Sequence, residues 1–165
     1  MSQNNERPLD SRVVANSFIT IARDRGDSLT MMQILKLVYI AHGYSLALLN
    51  SPLIRDRVEA WRHGPVIPAI YKALRHYGSA PVTDEIRDEN GVALHGEISA
   101  RQAELIEAVY DAYGALHAFQ LSDLTHQQGT PWASVYNPDE MFIAIPNKTI
   151  AHYYNSKVNQ PAGAS

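Results

Sequence analysis

One stretch of helix-forming sequence limits what this chain can fold into, because it is apolar on every side. Residues 34–44 read Ile-Leu-Lys-Leu-Val-Tyr-Ile-Ala-His-Gly-Tyr, with Lys36 and His42 as the strongly polar side chains. A helix that is apolar all round has to be covered on several sides, so it forms the centre of a bundle. Its start is marked by Thr30 as cap and by Gln33 three residues on, a capping box, with Leu29 and Ile34 placed as a hydrophobic staple. Asn50-Ser51-Pro52 ends it. Across residues 29–49 the apolar run is broken by Gln33, Lys36, His42, Tyr44 and Ser45, which suits a buried helix and not a membrane span.

The flanking elements follow from their own punctuation. Asp10 or Ser11 caps a first helix carrying Val13, Val14, Phe18, Ile19 and Ala22, which stops near Gly26. Residues 53–61 alternate loosely and read as a short strand. Residues 65–77 read as a helix with Pro65 in its first position, Ile67, Ile70, Tyr71 and Leu74 inward, and Gly78 as its stop. In residues 82–98 the pattern weakens, and Asn90-Gly91 signals a hairpin turn in an exposed β-excursion. Ser99 and Gln102 form a second capping box, opening a helix with Ile106, Val109, Tyr110 and Tyr113 on one face and Gly114 near its end. Residues 120–127 form a short helix for which Ser122 and Asp123 are candidate caps. Thr130 caps the next with Pro131 in first position, and Asn147 caps a last helix through Ile150, Tyr153 and Tyr154. The fold class is mainly α: a compact multi-helix bundle with a small β-element or hairpin. It forms one domain over residues 10–155, between loose polar tails at 1–9 and 156–165.

Composition narrows the function classes. The chain has no cysteine, which excludes disulfides and thiolate metal sites. The first eight residues are polar and lack an apolar core, so no secretory signal is visible and a cytoplasmic location is expected, with no membrane partner. The net charge of −3 argues against a large phosphate footprint, so nucleic acid is not the expected partner. Charge is uneven, however. Residues 55–76 are rich in Arg and Lys and residues 84–111 in Asp and Glu, which points to an internal electrostatic match, a two-signed surface, or ordinary solvated faces.

No glycine-rich phosphate loop, nucleophile elbow or His-Glu-x-x-His occurs. Three clusters remain. The first is Glu59-Ala60-Trp61-Arg62-His63-Gly64-Pro65-Val66-Ile67-Pro68, a rigid turn beside a large anchor. The second is Lys36, which inside so apolar a helix must extend to the rim, pair with a carboxylate, or lose its proton; Asp123 and Glu59 are the candidate partners. The third is Leu121-Ser122-Asp123-Leu124-Thr125-His126-Gln127, followed by Gly129-Thr130-Pro131-Trp132. Ser122, Asp123 and His126 resemble a hydrolytic triad, but adjacent helical residues point about 100° apart, so both cannot serve one histidine. A hydrogen-bonded knot linking this helix to the His63-Gly64-Pro65 turn is the better reading. A metal site built from His63, Asp123 and His126 is a separate alternative.

The three clusters come in order as Lys36-Leu37-x-Tyr39-x-Ala41-x-Gly43, Glu59-Ala60-Trp61-x-x-Gly64-Pro65-Val66-x-Pro68-x-x-Tyr71, and Leu121-Ser122-x-Leu124-Thr125-His126-x-x-Gly129-x-Pro131-Trp132. Together they resemble the Panacea domain, the family of the SocA-type antitoxins, over roughly residues 29–154. Leu35 and His42 stand where many relatives carry Gln, and His63 where an aromatic or polar residue often precedes Gly-Pro. The resemblance implies a non-enzymatic antitoxin without cofactor that binds and neutralises a cognate toxin protein. For the SocA-type branch it also implies an adaptor that delivers the toxin to ClpXP.

The motif residues Lys36, Tyr39, Trp61, His63, Gly64, Pro65, Asp123, His126, Pro131 and Trp132 look architectural. Partner choice belongs on exposed variable segments, for which Arg55, Arg57, Arg75, Arg87, Asp88, Glu89 and Leu94 are the candidates. A metal-dependent hydrolase or nuclease using His63, Asp123 and His126, and a DNA-binding regulator of its own operon, are the alternatives.

Overall fold

The computed structural model describes residues 6–159 and shows, within them, seven α-helices around a two-stranded hairpin. In chain order these are α1 (Ser11–Asp24), α2 (Met31–Leu48), β1 (Glu59–Trp61), β2 (Gly64–Val66), α3 (Pro68–Leu74) with a 3-10 turn (Arg75–Tyr77), α4 (Ala100–Tyr113), α5 (Ala118–His126), α6 (Pro131–Val135) and α7 (Asn147–Val158). The mainly α bundle with a small β-element is the architecture found.

α2 is the hub. The Thr30–Gln33 capping box opens it, and Ile34 through Gly43 are all buried. It packs against α1, α3, α4, α5, α7 and β2. Its closest neighbour, α7, is admitted by Gly43, since a Cβ there would collide with the Tyr154 ring. Tyr154 stands edge-on to Tyr39 and Tyr44, with ring centroids 6.2 and 4.8 Å away. The Tyr44 hydroxyl meets that of Tyr113 on α4 at 2.9 Å, so three helices share one aromatic contact.

Polar groups on the buried helices hold the irregular segments. His42 Nδ1 accepts from the amides of Leu53 and Ile54 at 3.2 and 3.4 Å, which leaves the ring proton on Nε2, 2.9 Å from Asn147 Oδ1. Burial pushes the imidazole below its usual basicity, and the bond to Asn147 partly offsets this. Asn16 on α1 donates to the carbonyls of Ile86 and Leu94 at 2.9 Å each and accepts from Ile86 N at 2.7 Å. That one side chain ties the 82–98 excursion to the bundle.

Several expectations are corrected. Pro65 does not open a helix: it lies in β2 opposite Ala60, and Pro68 takes the first helical position. The reason is Gly64, whose φ of +117° turns the chain back along β1 before any helix can begin. The strand expected over 53–61 is confined to Glu59–Trp61, while Ile54 pairs with Leu9 as an isolated bridge. The 82–98 excursion turns at Gly91 but contains a single bridge, Arg87 to Ala93. Ser122 and Asp123 lie inside α5, which is capped by His117. Asn147 does not cap α7, because its side chain is engaged by His42.

At the chain ends, Leu9 is buried and bonded to Leu53 and Arg55, and α7 continues to Val158. The remaining residues expected in the tails, 1–5 and 160–165, lie outside the described residues. The internal electrostatic match exists, but with α1 in place of residues 55–76. Arg23 meets Glu85 at 3.2 Å, and Arg25 reaches Glu107 and Asp111.

Because the α2–α7 contact has no room for a methyl group, Gly43→Ala should lower unfolding free energy by about 1–3 kcal/mol, in the range of overpacking substitutions. Urea melts read this directly, and an unchanged midpoint would show that α7 can move aside freely.

Candidate functional site

The three motif clusters meet at the β1–β2 hairpin. Its strands pair Glu59 with Val66, Ala60 with Pro65, and Trp61 with Gly64, leaving Arg62 and His63 as a two-residue loop. On the far edge of β1, Ala60 N donates to Ile143 O and Ile145 N to Val58 O, both at 2.8 Å.

Three alternate carbonyls of the hairpin accept side-chain donors from three different helices. Trp132 Nε1 on α6 donates to Trp61 O at 2.6 Å, Ser122 Oγ on α5 to His63 O at 2.8 Å, and Lys36 Nζ on α2 to Pro65 O at 2.7 Å. The three acceptors lie at the end of β1, in the loop and in β2, so each part of the hairpin is held by a donor from a different helix. Gly64 sits where a Cβ would lie 2.9 Å from Lys36 Nζ and 3.4 Å from Thr125 Oγ1. Both its positive φ and this close approach require glycine.

Lys36 is fully buried, so it does not extend to the rim. The ion pair expected with Asp123 or Glu59 does not form. Asp123 lies on the exposed side of α5, while Glu59 accepts from Trp61 Nε1 at 2.9 Å and pairs with Arg57 at 3.0 Å. With a carbonyl in place of a carboxylate, burial lowers the Lys36 ammonium to about 7.

Around the three anchors the packing is aromatic. Trp132 stacks on Tyr136 with centroids 4.4 Å apart, His126 stands edge-on to Trp132 at 5.2 Å, and Trp61 is edge-on to Tyr71 at 4.9 Å. Both tryptophans are half-buried, so each acts as a clamp at the rim and not as deep core. Pro131, at the first position of α6, is buried beside Thr130, its cap.

The triad geometry is absent. His126 Nδ1 faces the Ser122 carbonyl one helical turn back and lies 3.4 Å from Ser122 Oγ, while Asp123 makes no bond to it. Among the described residues no three His, Asp or Glu side chains converge as a metal site, so His63, Asp123 and His126 are not assembled as ligands. Tyr39 takes part in the tyrosine contact of α2 and α7, and its buried hydroxyl lacks a partner.

The candidate partner-binding residues divide. Arg55, Arg57, Arg75, Arg87, Asp88 and Glu89 are exposed. Arg55 lies 3.7 Å from Asp10, Arg57 donates to Phe142 O at 2.7 Å, and Arg87 pairs with Asp84 at 3.2 Å. Leu94 is not on a free surface: it is half-buried against the core, and its carbonyl is held by Asn16. The His42–Asn147 and Asn16 bonds carry no local sequence signal beyond a polar residue within an apolar face.

Two substitutions separate the anchors. Lys36→Met keeps the stem and removes the ionisable group. Unfolded lysine titrates near 10.4 and the buried one at about 7, so between these values the unfolded chain holds the extra proton and rising pH favours the fold. Wild-type stability relative to Lys36→Met should therefore climb from pH 7 to pH 10, and parallel profiles would refute it. Trp132→Phe, which strips the donor from Trp61 O, should cost about 1–3 kcal/mol in a urea melt.

Residues 34–133 match the family model described as antitoxin SocA-like, Panacea domain. Antitoxin SocA of Caulobacter vibrioides (strain NA1000 / CB15N) is 31% identical over 134 residues, 78% of this chain and 71% of that protein. No solved structure matches the chain. The span of the family match encloses the hairpin and all three helix donors that hold it. The chain belongs to the antitoxin SocA-like, Panacea-domain family.

Proposed function

We propose that this protein is an antitoxin that binds and neutralises a cognate protein toxin, without chemistry of its own. The observation that carries this reading is membership of an antitoxin family through a match that contains the whole anchored hairpin. The anchoring supports a binding role in physical terms. Trp132, Ser122 and Lys36 hold the short loop in one conformation before any partner arrives, which lowers the ordering cost of association.

The finer reading is that the toxin, once bound, is passed to ClpXP. This requires the same folded domain to present bound toxin and protease contacts together. Among the described residues no helix is long and apolar enough to cross a membrane.

Co-expression with the protein encoded by the neighbouring open reading frame tests both levels. The expected outcome is relief of growth arrest and co-purification of the two chains. Failure of both would remove the antitoxin reading. A toxin lifetime that shortens in the presence of this chain, but not in cells lacking ClpX, would support delivery. Neutralisation with an unchanged toxin lifetime would leave occlusion as the mechanism.

A further inference from the structure

Between Glu59 and Asp84 the chain carries Arg62, Lys72 and Arg75 and no Asp or Glu, in a protein whose net charge is −3. α3 begins directly after Ile67, and Tyr71 stands edge-on to Trp61, so the anchored hairpin also fixes this helix. Ile70 and Leu74 bury its inner face. Lys72, Arg75 and His76 are exposed on the outer one, at the spacing of three and four residues that brings helical side chains together. The His76 ring packs against Tyr77, with centroids 4.3 Å apart.

Beside this face is an open cleft of about 720 Å³ whose charged lining is Lys72, Arg12, Asp84, Glu85 and Arg87. Its carboxylates are already paired. Asp84 meets Arg87 at 3.2 Å, and Glu85 meets Arg23 at 3.2 Å while accepting from Thr20 at 3.0 Å. Arg12 is held by Asp10 at 2.7 Å. Arg55, Arg57 and Arg87 each lie beside a carboxylate, Asp10, Glu59 and Asp84 respectively. Lys72 and Arg75 pair with no carboxylate among the described residues. Like charges three residues apart on a helix repel. A place at the C-terminal end of α3 suits the helix dipole, but it leaves both charges facing solvent without a counter-charge.

We propose that the outer face of α3, centred on Lys72 and Arg75, binds an acidic segment of the partner toxin. The proposal rests on the antitoxin reading above and adds the surface and the chemistry of what it holds. The argument for the occupant is charge complementarity: the protein's own carboxylates are engaged elsewhere, so the complement has to come from outside. A nucleic acid is the poorer match. The two α3 cations neutralise few phosphates, and Asp84 and Glu85 line the same cleft, where a long polyanion would meet them. A contact of this kind steers encounter, so it acts mainly on the association rate and is screened by salt.

The test uses the full chain and the variants Lys72→Glu, Arg75→Glu and Lys148→Glu. Lys148 is exposed in the first turn of α7, so its reversal changes net charge by the same amount at a different place. Association with the neighbouring-frame protein is followed at about 50 and about 300 mM salt. Binding of a peptide alternating Glu and Ser, of one alternating Lys and Ser, and of duplex DNA is titrated alongside.

Wild-type association should slow at the higher salt. At the lower salt Lys72→Glu and Arg75→Glu should each slow it by about tenfold, with unchanged melts, while Lys148→Glu should not. The Glu–Ser peptide should bind the wild type and neither α3 variant. If a reversal lowers the melt, Lys72→Gln and Arg75→Gln remove the charge alone, and the same order of effects is expected in smaller measure. The assignment falls, and the antitoxin reading stands, if the toxin binds the wild type and both α3 variants at equal rates, or if the Lys–Ser peptide is the one selected. Binding of duplex DNA through Lys72 and Arg75, in place of the Glu–Ser peptide, overturns it in favour of a nucleic acid. Loss of self-association in the α3 variants overturns it in favour of a second copy. If the toxin does not bind the wild type at all, the antitoxin reading fails and this assignment with it.

Discussion

A hairpin with three residues per strand does not hold together in water on its own. In this protein it is held by the hydrogen bond from the completely buried amino group of Lys36 to the carbonyl of Pro65, together with two matching bonds from Ser122 and Trp132. The bond is costly to assemble, since the lysine loses its water without gaining a carboxylate. Its removal is costly as well, because Pro65 would keep a buried carbonyl with no donor. Once the hairpin is fixed, so are the positions of α5 and α6, which reach it through the other two donors.

The same logic explains the two polar residues of the hub helix. Lys36 and His42 stand six residues apart, about 120° around the helix, and each ties a different part of the chain that follows α2. His42 receives the amides of Leu53 and Ile54 near the start of that stretch, and Lys36 donates to Pro65 near its end. The intervening segment thus has a polar tie at either end and apolar side chains, Leu53, Ile54, Val58 and Ala60, packed between. Each tie uses the neutral or weakly basic form of its side chain, which is how ionisable residues are accommodated in so apolar a helix.

What could be read in the sequence was what depends on near neighbours. The boxes at Thr30–Gln33 and Ser99–Gln102, and the Thr130–Pro131 start, are formed by residues within three positions of each other, and all three stand in the structure. Pro65 has the local chemistry of a helix opener, and only the long-range pairing of β2 with β1 places it in a strand and leaves the helix start to Pro68. Asn147 has the chemistry of a cap, but a histidine more than a hundred residues away claims it. The partner of Lys36 was sought among carboxylates because side chains are visible in a sequence, whereas the actual acceptor is a backbone carbonyl, which every residue has. For the candidate site, the convergence of the three motifs was legible.

The anchors of the hairpin are all backbone acceptors, and this has a consequence for how such a protein can diversify. A carbonyl at position 63 accepts from Ser122 whatever side chain is attached to it. The restrictions fall on the donors and on Gly64, while Arg62 and the His63 side chain, both exposed at the loop, are left without a part in the anchoring. Mutation can therefore change the chemistry displayed at the tip without disturbing its shape, giving new specificities a rigid platform on which to arise.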